Sequence, residues 1–183
     1  RAKQSSGNYD SYLPNDVITY KPGAGENCIR ILPWNINPDN QDELAEKYGD
    51  HWGIDIHVHY NVGPDEQSYL CLDKMKGEPC PVCEARRTGT DEEADALRIS
   101  SRILCWLIDR NDEKSGPKLW SMPLGGTNDI SAASQVKGSR GGGAEDGKVL
   151  QIDNPEEGFD VYFDKEGEKI KTKYKRVEVS RDP

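Results

Sequence analysis

Apolar and polar residues alternate along much of this chain with a period of two, which predicts strands rather than long helices. Asp16 to Tyr20 and Asn27 to Pro33 read as two short strands separated by the turn-rich Lys21-Pro22-Gly23-Ala24-Gly25, so they can pair as a hairpin. In Ile54-Asp55-Ile56-His57-Val58-His59-Tyr60, alternation puts the aliphatic residues on one face and both histidines on the other. A turn at Gly63-Pro64-Asp65 would return the chain along Ser68 to Leu72. Ser101 to Asp109 is a nearly continuous apolar strand that Asn111 to Gly116 turns into Pro117 to Pro123. Short strands close the chain at Lys148 to Ile152, Gly158 to Asp164 and Glu168 to Ser180. Helical patterns are few: an acidic stretch at Asp39 to Tyr48, then Cys80 to Thr88, then Asp91 to Ile99 opened by three acidic residues, and a segment capped by Asn128 that runs to about Val136.

About seven short strands with a helical insertion predict a mainly β (α+β) fold, a small OB-fold-like barrel rather than a sandwich. We expect a flexible N-terminal segment over 1–12 and one domain over 13–180. That domain contains a metal-binding subdomain over 57–100 and a glycine-rich connector over 138–147. The length of 183 residues supports one decorated domain, and 18 glycines with 11 prolines demand long connections between short elements. No apolar run is long enough to cross a membrane as a helix, and no secretory signal pattern opens the chain, so we expect a soluble intracellular protein. The net charge of -9 argues at first against a nucleic-acid partner. Its distribution changes that picture, because seven basic and only three acidic residues lie between Lys165 and Arg181.

Five cysteines without a secretory signal disfavour a disulfide framework. Cys28 and Cys105 sit inside apolar runs, where a free thiol behaves as a small hydrophobe. Cys71, Cys80 and Cys83 differ. Pro79-Cys80-Pro81-Val82-Cys83 is a C-x-x-C turn whose sulfurs can converge on one metal, and the hairpin would bring Cys71 beside the histidine strand. One structural zinc bound by three cysteines and one histidine fits this pattern, with His59, nearer the turn, favoured over His57. A redox pair is the alternative for the C-x-x-C, but such motifs accompany a βαβ pattern that is missing here.

From His59 through Cys71 to Cys80-Pro81-Val82-Cys83, then a helix, Leu97-Arg98-Ile99-Ser100-Ser101-Arg102 and the Ile103 to Asp109 strand, the chain resembles the single-stranded DNA-binding, helix-destabilising proteins of tailed phages. His57-Val58-His59-Tyr60-Asn61-Val62-Gly63-Pro64-Asp65 and Leu119-Trp120-Ser121-Met122-Pro123 look like the podovirus and siphovirus branch. The resemblance covers roughly 13–180. It implies an OB-fold core with a zinc subdomain, binding single strands without sequence preference in DNA replication, recombination and repair, in the cytoplasm of an infected bacterial host. It also implies a basic N-terminal segment for cooperativity and an acidic C-terminal tail that recruits phage replication and recombination proteins. The sequence departs from both patterns, with Arg1 and Lys3 at one end and Arg181-Asp182-Pro183 at the other.

Such binding needs a cationic groove for phosphates and aromatic faces for bases. Lys169, Lys171, Lys173 and Lys175 alternate with Ile170, Thr172 and Tyr174, a comb of ammonium groups about 6.6 Å apart, although a lysine-protected sheet edge would look the same. Lys74, Lys76, Arg86, Arg87, Arg98 and Arg102 lie near the cysteines in sequence. Trp34, Tyr60, Trp120 and Tyr174 are candidates for the ligand face, while Trp106, inside an apolar run, is expected to be buried. Two other functions compete. A zinc nucleobase deaminase would need H-x-E, and His51-Trp52-Gly53, His57-Val58-His59 and His59-Tyr60-Asn61 all lack the glutamate, so no enzyme is expected. A zinc-stapled protein-interaction module is the alternative that the net acidity favours.

Overall fold

Alternating burial builds seven strands from this chain, and turns rich in glycine and asparagine join them. A computed structural model describes residues 11–34, 52–135, 150, 152–154, 158–168 and 172–180. The strands are β1 (Gly25–Ile31), β2 (Ile54–Val62), β3 (Gln67–Leu70), β4 (Ile99–Asp109), β5 (Lys118–Pro123), β6 (Val161–Glu166) and β7 (Lys173–Val179). The α-helices among the described residues are α1 (Leu72–Lys76), α2 (Pro81–Thr88), α3 (Asp91–Ala96) and α4 (Leu124–Ala133). The fold is therefore mainly β with few, short helices, and its antiparallel pairing is consistent with a small barrel-like architecture. The expected helix at 39–48 and connector at 138–147 lie outside the described residues. The same is true of most of the segment 1–12.

Two compact units can be distinguished: one made of 11–17 and Asp55–Arg102, the other of 18–34, 52–54 and the described residues from 103 onward. In the second unit the strand order is β4-β1-β6-β7, and β5 pairs with β4. Ile31 lies opposite Leu107 of β4, and Ile29 lies opposite Val161 of β6, so inward residues of three strands meet in one layer. The core joins them to Tyr20, Cys105, Trp120, Met122, Ile130, Ile152 and Phe163. Trp120 is its centre, stacked on Phe163 at 5.5 Å and edge-on to Tyr20 at 5.3 Å and Tyr174 at 6.0 Å. Helix α4 closes this core against β5 and β7, and a Cβ at Gly126 would stand 3.3 Å from both Met122 and Tyr174.

Buried polar groups in this unit are satisfied. Asn27 accepts from the Gly23 N–H at 2.9 Å and donates to the Gly23 and Gly25 carbonyls, which locks the glycine turn before β1. Lys118 pairs with Asp109 at 3.0 Å and Asp112 at 2.9 Å, fastening the β4–β5 hairpin.

Four expectations change. Residues 16–20 do not pair with β1, because β4 and β6 occupy both of its edges. Thr19 instead bridges Leu119 in parallel, and the Tyr20 N–H donates to the Leu119 carbonyl. Helix α4 starts directly after Pro123, whose fixed φ suits an N-cap, and leaves Asn128 inside the helix. Helix α3 ends at Ala96, and Ile99 already belongs to β4. Of the described residues in the 148–152 stretch, Leu150 donates to the Ser134 carbonyl and Ile152 enters the core, but neither lies in a strand.

In the first unit the order is β3-β2-β4. The β2–β3 hairpin sets Val58 opposite Leu70 and His59 opposite Tyr69, with an irregularity between His59 and Val62 where Asn61 takes φ of 54°. Three helices follow, including α1, which the strand pattern did not predict. Left-handed Gly77 (φ 71°) stops α1, Pro81 opens α2, and a reciprocal Thr90–Glu93 capping box starts α3. No side chain of α1 or α3 is buried, and Cys83 is the only buried one of α2.

Candidate metal centre and its cationic surround

His59 comes from β2, Cys71 is the N-cap of α1, and Cys80 and Cys83 are the N-cap and an early first-turn residue of α2. Each position follows from a local feature. Strand alternation sets His59 on the face opposite Val58; the Cys71 N–H donates to the His57 carbonyl at 2.8 Å, ending the hairpin where the helix begins; and the helical turn of C-x-x-C gathers its two sulfurs. All four side chains are buried, and their ligand atoms lie within 4.8 Å of one another. His59 Nε2 is 3.5 Å from Cys83 Sγ and 3.7 Å from Cys80 Sγ, and the Cys71 and Cys83 sulfurs are 3.5 Å apart. This cluster could hold one metal ion.

The histidine is prepared for that role. Its Nδ1 lies 2.9 Å from the Leu97 carbonyl, which can only accept, so the proton sits on Nδ1 and the Nε2 lone pair faces the sulfurs. His57 has no such place: its Nδ1 meets the Ser101 hydroxyl at 2.9 Å, away from the cluster. Burial pushes the Cys83 thiol up to about 12, and the adjacent Cys71 and Cys80 sulfurs add to the effect. Burial also acts to raise Cys80, but backbone N–H groups of Cys83, Leu72 and Val82 outweigh it and hold that thiol down at about 6. Crowded sulfurs that resist joint ionisation are what a bound cation relieves.

Around this centre Lys74, Lys76, Arg86, Arg87 and Arg98 are exposed. Among the described residues the first four form no ion pair, whereas Arg98 pairs with Asp95 at 3.7 Å. Arg102 lies over the Tyr60 ring at 5.4 Å, and Tyr12 meets that ring edge-on at 6.3 Å. Tyr60 is thus half-buried and partly covered, a weaker base platform than expected. Tyr12 was not visible as its neighbour, because nothing near it in sequence marks a strap across β2.

The second unit rearranges the remaining candidates. Trp120 is 4% exposed and belongs to the core and not to a ligand face, whereas Tyr174 is half-buried with its ring packed against that core. Trp106, expected inside, is half-buried and makes a tilted pair with Trp34 at 6.4 Å. In the lysine comb, Lys169 and Lys171 lie outside the described residues. Lys173 stands opposite Glu166; Lys175 stands opposite Asp164 and pairs with Glu166 at 2.6 Å. Arg176 pairs with Asp164. The acids of β6 run alongside the comb, and of its described lysines Lys175 is paired with one of them.

Compared with known proteins, the chain matches no family model, and no curated protein matches it.

Proposed function

We propose that this chain is a zinc-stapled protein that binds single-stranded DNA without sequence preference, protecting and melting DNA during phage replication, recombination and repair. Zinc suits the cluster: zinc–sulfur bonds of about 2.3 Å and a zinc–nitrogen bond of about 2.0–2.1 Å place tetrahedral ligands about 3.5 to 3.8 Å apart. The three measured contacts fall at 3.5, 3.5 and 3.7 Å. Thiolate-rich ligands favour zinc over hard cations, and four protein ligands leave no position for a reacting water, so the role is structural and not enzymatic.

The DNA reading is carried by Lys74, Lys76, Arg86 and Arg87, which form no ion pair among the described residues of a chain of net charge -9. In the second unit Arg30, Arg110, Lys118, Lys175 and Arg176 are all neutralised by carboxylates. Cations without an acidic partner are available to phosphates. Tyr60 with Arg102, and Trp34 with Trp106, supply aromatic surface on which bases stack. This reading carries with it partners among phage replication and recombination proteins and a location in the host cytoplasm.

The test is titration of labelled oligothymidine across a salt series. Binding should weaken linearly on logarithmic axes, and the triple variant Lys74→Ala, Arg86→Ala, Arg87→Ala should lower the slope by about two, at about 0.7 per lost contact on a single strand. Absence of salt-sensitive binding would overturn the proposal. It would favour instead a zinc-stapled protein-interaction module, to which exposed Tyr69, Leu70 and Leu72 point.

A further inference from the structure

Beside the metal centre, within the first unit, lies a depression of about 310 Å³. Lys74 of α1 and Arg86 and Arg87 of α2 supply its cationic side; Ala94, Ile99 and the edge of Cys83 supply its apolar side; and Asp73 is its single acid. We infer that this depression is a subsite for one nucleotide, its phosphate on Lys74, Arg86 and Arg87 and its sugar and base against Ala94 and Ile99. The inference rests on the single-strand reading and deepens it by placing one nucleotide at a defined point of the strand.

Two features, the volume and Asp73, favour a nucleotide over a bare anion, and two more suit the pocket to its phosphate. The volume lies at the lower end of ligand-pocket sizes, about 300 to 1,000 Å³, which leaves more room than a phosphate fills and too little for a dinucleotide cofactor. Arg86 is anchored, because its Nε donates to the Ala94 carbonyl at 3.0 Å. Its terminal nitrogens remain for a forked contact with phosphate oxygens. Asp73 would repel a lone phosphate but can accept from a base N–H. Finally, three thiolates and a neutral imidazole on a divalent ion carry one net negative charge, which the three cations outnumber, so the pocket keeps its attraction for an anion when the metal is bound.

Calorimetric titration of the metal-loaded protein with thymidine monophosphate, thymidine and inorganic phosphate tests this. The monophosphate should fill one site, at least tenfold tighter than either fragment, and should compete with oligothymidine. Arg86→Ala with Arg87→Ala should weaken it at least tenfold while metal content and helical circular dichroism stay unchanged. Should that pair disturb the fold, Lys74→Gln on the facing helix should still weaken it severalfold. Thymidine monophosphate binding no tighter than phosphate, or insensitive to these substitutions, would overturn the subsite. If oligothymidine still binds in that case, the subsite alone fails; if it does not, the single-strand reading fails as well.

Discussion

The two units of this protein are held by different physics. The second buries a continuous set of aromatic and aliphatic side chains around Trp120, and its cations are largely spent on ion pairs. In the first, helices of five, eight and six residues bury a single side chain among them; among the described residues Lys74, Lys76, Arg86 and Arg87 form no ion pair, while Arg98 pairs with Asp95. Helices this short do not persist alone in water, where about 12 to 15 residues are marginal even for good sequences. Their anchor is the sulfur–imidazole cluster. Apolar burial leaves a surface free to be neutralised, whereas a four-ligand cluster, stapled by the zinc proposed above, needs few residues and leaves neighbouring side chains available for a ligand. Strand β4 belongs to both, with Ile99 to Arg102 in one unit and Ile103 to Asp109 in the other.

Removing the zinc proposed for the cluster is the strongest way to break the contrast. Structural zinc is worth about 10 to 16 kcal/mol to peptides that fold around it. A strong chelator, or Cys83→Ser, should erase the helical signal of α1 to α3 and leave the near-ultraviolet signal of packed Trp120 in place. Retained helicity in metal-free protein would show that the cluster is not the anchor. The converse experiment is Trp120→Ala, which should cost about 3 to 5 kcal/mol. It should lower the melting temperature of the second unit while one metal per chain is retained; metal loss in that variant would mean that the two regions stand or fall together.

Much of this contrast was legible in the sequence because it is written in local patterns. The C-x-x-C turn, the hairpin and the alternation of Ile56, Val58 and the histidines brought the cluster into view. What decides His59 over His57 is the Leu97 carbonyl, 38 residues away, which no local pattern contains. The carboxylate beside Lys175 was hidden for the same reason: Asp164 and Glu166 are plain in the sequence, but which strand lies beside β7 is a tertiary fact. Trp120 was misplaced with less excuse. It shares a strand face with Met122, two residues on, and that spacing already pointed both side chains to the interior. Pro123, too, was a readable start for α4.

The smallest expected effect separates the staple from the helices it holds. Helix α3 has no buried side chain, so its start depends on the Thr90–Glu93 box, in which the Glu93 N–H donates to Thr90 Oγ1 and the Thr90 N–H donates to Glu93 Oε2 at 2.8 Å. Thr90→Ala should cost about 1 kcal/mol. That is about a fivefold rise in the open population, readable as faster amide exchange at Ala94, whose N–H donates to the Thr90 carbonyl at 2.8 Å. Thr90→Ser should restore protection. The backbone N–H and side chain of Thr90 hold the Glu93 carboxyl below the ordinary carboxylate range. A depressed value in the folded state means that this contribution is complete at neutral pH and is lost as acid protonates Glu93. Because the Ala94 carbonyl anchors Arg86, fraying here should weaken thymidine monophosphate slightly and leave metal content untouched. Metal loss on Thr90→Ala would show instead that α3 supports the staple, reversing the dependence drawn above.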